Sequence, residues 1–119
     1  MYSWISALLL LCLSSLAWAG DEIWIDVRST EEFQQEHLVG AIHIPHTQIA
    51  KGISKRYPDR NTPLNLYCRS GRRSQLATEA LQALGYTKVV NRGGLEQLKQ
   101  AGMPTEGSLV NAEALATQP

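Results

Sequence analysis

The hydrophobic period changes within residues 64–84. Leu64-Asn65-Leu66-Tyr67 alternates apolar and polar side chains, and Leu76, Ala77, Ala80, Leu81 and Leu84 then recur at helical spacing. A strand that passes directly into an amphipathic helix is the repeating step of α/β folds. The turn between them is Cys68-Arg69-Ser70-Gly71-Arg72-Arg73-Ser74, one cysteine followed closely by three arginines. The first N–H groups of a helix lack intrahelical partners and the helix dipole is positive there, so this turn favours both a thiolate and a bound anion. Cysteines placed this way ionise at roughly pH 3.5–7.5 instead of about 8.5. Cys68 is therefore the candidate nucleophile, and Arg69, Ser70, Gly71, Arg72 and Arg73 form the candidate substrate-binding loop. Arginine supplies a planar fork of donors that matches an oxyanion, and Gly71 lets the backbone curl close to it.

The rest of the chain repeats the strand-helix alternation. Ile23–Val27 reads as a strand, Ser29 and Thr30 as the cap of a helix from Glu31 to His37, and Ala41–Ile44 as a short strand ended by Pro45. A helix over Thr47–Tyr57, the strand Leu64–Tyr67, a helix from Arg72 to Leu84 stopped by Gly85, and a strand over Lys88–Val90 follow. Gly94 introduces a last helix, Leu95–Ala101, ended by Gly102 and Pro104. This order predicts one α/β domain over residues 20–104, a mostly parallel central sheet flanked by helices, with the site at the carboxyl end of a strand. Thr105–Pro119 reads as a polar tail.

Residues 1–19 carry no charged side chain, and Ile5–Leu16 is an apolar run closed by Ala17-Trp18-Ala19. An A-x-A pattern after a run too short to span a bilayer is the mark of a cleaved export signal, so the mature chain is expected to be exported, to the periplasm, without a membrane anchor. Cys12 leaves with that segment, and Cys68 remains as an unpaired thiol in an exported protein, which points to reactivity. Eleven Lys and Arg against eleven Asp and Glu give formal neutrality, which argues against a nucleic-acid or membrane-surface role and suits a small anion at one local basic loop. His37, His43 and His46 lack companions at metal-ligand spacing, so no metal and no cofactor is expected.

The Cys68 loop resembles the active-site loop of the rhodanese (thiosulfate sulfurtransferase) family. Other landmarks are similar in order: Trp24-Ile25-Asp26-Val27-Arg28, Glu31-Glu32-Phe33, Gly40-Ala41 to Pro45, Val89-Val90-Asn91-Arg92-Gly93-Gly94, and Ala101-Gly102-Met103-Pro104. Many relatives carry tryptophan where this chain has Leu98, a difference that bears on packing. The resemblance implies a sulfurtransferase that moves sulfane sulfur from thiosulfate, or a related donor, to cyanide or a thiol acceptor through a Cys68 persulfide. The order of the family fold also implies Arg92 at the mouth of the site, while Asp26 and Arg28 read first as a structural ion pair or cap and second as a brace of the loop from an adjacent strand end.

Three alternatives remain at this stage. A phosphate or arsenate enzyme of the same fold is disfavoured by the loop, because such relatives have five residues between cysteine and arginine and here Arg73 follows Cys68 with only four between. A non-enzymatic thiol sensor or interaction module would use the same exposed thiolate. A sulfur relay to a protein acceptor is the third.

Overall fold

The computed structural model describes residues 22–107; the expected signal segment and the chain beyond Gly107 lie outside the described residues. In order, the elements are β1 (Trp24–Asp26), α1 (Thr30–Gln35), β2 (His37–Leu38), β3 (Ile42–His43), a 3-10 turn at His46–Gln48, and α2 (Ile49–Arg56). They continue with β4 (Leu64–Cys68), α3 (Arg72–Ala83), β5 (Val89–Gly94), α4 (Leu95–Gln100) and β6 (Thr105–Glu106). Four strands form a sheet in the order β3-β1-β4-β5, every neighbour parallel, while β2 and β6 make a separate antiparallel pair.

Parallel strands are buried on both faces, and the side-chain period of two divides them between two cores. Ile25, Val27, Leu64, Leu66 and Cys68 point to one side, where Ile49 and Ile53 of α2 and Ala77 and Leu81 of α3 cover them. Tyr67 points to the other side and packs with Leu38 of β2 and Leu95 of α4, with Trp24, Leu98 and Met103 around them. Leu98 thus fills the place of the expected tryptophan as an ordinary apolar contact. Fully burying each such aliphatic side chain stabilises the fold by about 1.5–3 kcal/mol.

Three stretches of the chain, around Glu36, Thr105 and Asn91, differ from the sequence reading. The first helix stops at Gln35, with Glu36 already extended at φ −164°, and His37–Leu38 turns into a strand. Helix α1 has no buried residue of its own, whereas Leu38 is 1% exposed; packing Leu38 against Tyr67 draws the chain out of the helix. The partner of that strand is Thr105–Glu106, so the first residues assigned to the tail are hydrogen-bonded structure. Thr105 is held further by its hydroxyl on the Glu36 carboxylate at 2.7 Å. Strand β5 also runs on past Val90 to Gly94, because it keeps pairing with β4 up to the Cys68–Gly94 register.

The strand order locates a functional crevice. The chain moves from β1 outward to β3, then returns to place β4 on the other side of β1. Ligand sites in open parallel sheets lie at such a reversal, beyond the carboxyl ends of the two strands. Here those ends are Asp26 and Cys68.

Candidate active site

Cys68 is the last residue of β4 and the loop Arg69–Gly71 carries the chain into α3. Gly71 is the N-cap of α3 with φ +94°, a left-handed conformation that the missing Cβ makes accessible. That twist turns the Gly71 N–H back onto Cys68 Sγ at 2.9 Å. One turn on, Ser74 Oγ lies 3.4 Å from the same sulfur. Burial pushes the Cys68 thiol up, but hydrogen bonds from the Ser74 hydroxyl and from the N–H groups of Ser74, Gly71 and Ser70 outweigh it and leave the thiol below its ordinary range. Cys68 is itself 0% exposed, covered within the ring of the loop.

The structure separates the three arginines. Arg69 and Arg72 are exposed at the loop surface, and Arg69 lines an open cavity of about 420 Å³ together with Arg28, Glu36 and Leu95. Arg73 forms a two-pronged pair with Glu32 of α1, with N···O distances of 2.7 and 3.0 Å. Sequence reasoning did not find this partner, although Glu32 was visible as the third residue of a capping box. Ser29 caps α1 and Glu32 reaches back to the Ser29 N–H, so one carboxylate closes the helix start and holds the catalytic loop's arginine. The Arg73 hydrogen bond is the main reason that the Glu32 carboxyl falls from its ordinary 4.5 to about 2.

Because this pKa is depressed in the folded protein, the stabilisation is complete above about pH 4.5 and is lost as pH falls toward 2. Melting temperatures of Glu32→Gln are therefore expected to lie below those of the native protein at pH 7 and to converge with them by pH 2. Parallel curves over that range would show that the Glu32–Arg73 pair does not couple to folding.

Asp26 and Arg28 brace the base of the site. Asp26 is 0% and Arg28 5% exposed; the Arg28 Nε and Nη2 donate to both carboxylate oxygens at 2.7–3.1 Å, and the Arg28 backbone N–H donates to Oδ1 at 3.0 Å. The guanidinium also donates to the Glu36 carbonyl and lies 5.8 Å from the centre of the Tyr67 ring. Arg92, expected at the mouth, instead donates to Asn65 Oδ1 at 2.7 Å and lies over Trp24. Asn65 is near the start of β4, so the Arg92 side chain runs back along the other face of the sheet, away from Cys68. His37 stacks on Phe33 with ring centres 3.7 Å apart, and His43 Nε2 pairs with the Arg28 carbonyl at 2.7 Å, which gives both rings structural partners.

Asn91 is the second residue that sequence reasoning passed over. An asparagine inside a strand is unusual on propensity, which is the one signal that marked it. Its Nδ2 donates to the Gly71 carbonyl at 3.0 Å, and its Oδ1 accepts from Ser74 Oγ at 2.6 Å and from the Gly93 N–H at 3.0 Å. The Gly93-Gly94 pair fits beneath the loop, where a Cβ at Gly94 would overlap the Arg69 carbonyl.

These features have counterparts in known proteins. The sequence pattern of the rhodanese-like domain matches residues 12–101. The chain is similar to thiosulfate sulfurtransferase PspE of Escherichia coli, 47% identical over 77 residues that make up 65% of this chain and 74% of that one. It is 38% identical over 80 residues to a tRNA sulfurtransferase of Desulfurococcus amylolyticus, covering 67% of this chain but only 15% of that much longer protein. Among solved structures, a rhodanese with anions from E. coli superposes with a TM-score of 0.66 at 45% identity, over 73% of this chain and 99% of that one. With the rhodanese-like pattern running over most of its length and these relatives similar in both sequence and fold, the chain belongs to the rhodanese-like sulfurtransferase family.

Proposed function

We propose that this protein is a thiosulfate sulfurtransferase that works through a Cys68 persulfide. The observation that carries the reading is the Cys68 sulfur itself: it is fully buried, yet the Gly71 N–H at 2.9 Å and its companions hold the thiol below its ordinary range. A buried, inert cysteine would shift the other way.

The chemistry follows from that thiolate. The donor's oxygens meet Arg69 and Arg72 at the loop surface, and its terminal sulfur, a single atom, enters the ring of N–H groups. The Cys68 thiolate attacks this sulfur, the sulfur-sulfur bond of thiosulfate breaks, and sulfite leaves with the bonding electrons. The outer persulfide sulfur now carries the negative charge and takes over the N–H donors. Cyanide or a thiolate acceptor then attacks that outer sulfur, and the Cys68 thiolate is released unchanged. No general base is needed because no proton moves in either half-reaction. Arg69, Ser70, Gly71 and Arg72 thus act as the binding loop, and Arg73 fixes the loop to α1 through Glu32. A loop with Arg73 so engaged, and with four residues between it and Cys68, suits a sulfane sulfur better than a tetrahedral phosphoryl group.

The uncharged apolar run before Ala19 supports export, so the reaction is assigned to the periplasm, with the signal removed and the chain from Gly20 through the β6 strand at Thr105–Glu106 forming the working domain. A carrier that is loaded and unloaded in separate steps gives ping-pong kinetics. Varying thiosulfate at several fixed cyanide concentrations is expected to give parallel double-reciprocal lines; lines that intersect would mean a ternary complex and contradict a free persulfide form.

A further inference from the structure

Ser74 Oγ carries one proton but has three acceptors in reach: Asn91 Oδ1 at 2.6 Å, the Gly71 carbonyl at 3.1 Å and Cys68 Sγ at 3.4 Å. The orientation of the Asn91 amide is fixed by its other partners. Its nitrogen faces two oxygens, the Gly71 carbonyl at 3.0 Å and Gln75 Oε1 at 3.2 Å, and its oxygen receives the Gly93 N–H at 3.0 Å. A flipped amide would set two donors against each other at Gly93 and two acceptors at Gly71. Asn91 therefore faces Ser74 with an oxygen, and that oxygen can only accept.

We propose that Asn91 is a positioning residue for the sulfur chemistry: its Oδ1 competes with Cys68 Sγ for the Ser74 proton, so the hydroxyl turns to the sulfur only while Sγ holds the negative charge. This rests on Cys68 being the sulfur carrier. In the thiolate, a charge-assisted bond draws the hydroxyl to Sγ against the short bond to Asn91. In the persulfide the charge lies on the outer sulfur, and the hydroxyl returns to Asn91. Asn91 touches neither donor nor acceptor; it acts through Ser74.

The competition gives an unusual sign. Removing a residue that only stiffened the loop would disorder the N–H ring and raise the Cys68 pKa. Removing a competitor for the Ser74 proton lowers it. The test is the pH dependence of iodoacetamide alkylation of Cys68 in the full protein, for Asn91→Ala, Ser74→Ala and the double variant. Asn91→Ala is expected to lower the Cys68 pKa by about half a pH unit to one pH unit, the scale of a neutral hydrogen bond, and Ser74→Ala to raise it by about one to two pH units, the larger scale of a hydrogen bond to a charged group. In the double variant, Asn91→Ala has no further effect beyond Ser74→Ala. The charged group acting on Cys68 is Arg73, paired with Glu32 of α1 and influenced by Asp26 at the end of β1, and none of these changes in the variants. Asn91→Ser, whose shorter side chain withdraws the acceptor but stays polar, gives the same reading should the alanine variant fold poorly. An unchanged or raised pKa in Asn91→Ala or Asn91→Ser, or an equal shift with and without the Ser74 hydroxyl, overturns the proposal. Because alkylation and not turnover is read, a native protein that takes up no sulfur from thiosulfate overturns the sulfurtransferase reading, while the titrations alone decide the role of Asn91.

Discussion

Cys68→Ser is expected to lower sulfur transfer by about 10³-fold or more while leaving the melting temperature within a few degrees of the native value. The serine hydroxyl is nearly the same size as the thiol, and it accepts the Gly71 N–H that Sγ now receives while Ser74 keeps its bond to Asn91, so the loop keeps its shape. What is lost is the nucleophile. A serine hydroxyl stays protonated at neutral pH, and the ring of N–H groups, although sufficient to tip a thiol near its ordinary range, is far too weak to ionise an alcohol. Among the described residues Cys68 is the one cysteine, and the other in the sequence, Cys12, lies in the apolar N-terminal run. Turnover of thiosulfate and cyanide by the purified variant is the measurement, and activity close to that of the native protein would remove Cys68 from the mechanism.

Asp26→Ala is expected to be the most damaging single change to the fold, costing about 3–5 kcal/mol, a large share of the 5–15 kcal/mol that holds a typical domain together. The reason is the partner left behind. Arg28 is 5% exposed, and its Nε and Nη2 spend their hydrogen bonds on the Asp26 carboxylate, so deleting the carboxylate strands a guanidinium in the interior with only the Glu36 carbonyl to answer it. The damage reaches the site as well. Asp26 ends β1 at the strand reversal, and the Val27 N–H just after it donates to the Tyr67 carbonyl at 3.1 Å, one residue before the nucleophile. Urea denaturation gives the stability directly; a loss under about 1 kcal/mol would show that water reaches Arg28 and solvates it.

The α/β alternation was legible because each long element carries its own period and its own stop. Gly85 closes α3 and Pro45 follows β3, both as the sequence indicates. Cys68 and its loop were legible for the same reason, since a change of period marks a junction and the junction carries the cysteine. Short elements were not. His37–Leu38 continues the polar pattern of α1, and only the burial of Leu38 against Tyr67, 29 residues away in the chain, makes it a strand. Its partner Thr105–Glu106 is two residues long and polar, with no local signal to separate it from a tail.

The same limit applies to the site. Sequence proximity suggested that Arg69, Arg72 and Arg73 act together on one anion, but a helix start fans successive side chains apart, and the Arg73 guanidinium is engaged by the Glu32 carboxylate of α1. Ser74 and Asn91 are 17 residues apart and neither is distinctive alone; their role exists only once β5 lies beside β4 and α3. Arg92 fails for a related reason. It follows Asn91 directly, so the alternation of a strand sends its side chain to the other face, toward Asn65 and Trp24.

Intact mass spectrometry of the protein, first after incubation with thiosulfate and again after addition of cyanide, reads the sulfur on Cys68 itself. A gain of one sulfur atom is expected, located on Cys68, that disappears with cyanide and never forms in Cys68→Ser. A folded protein with a free Cys68 thiol that gains no sulfur would contradict the persulfide mechanism.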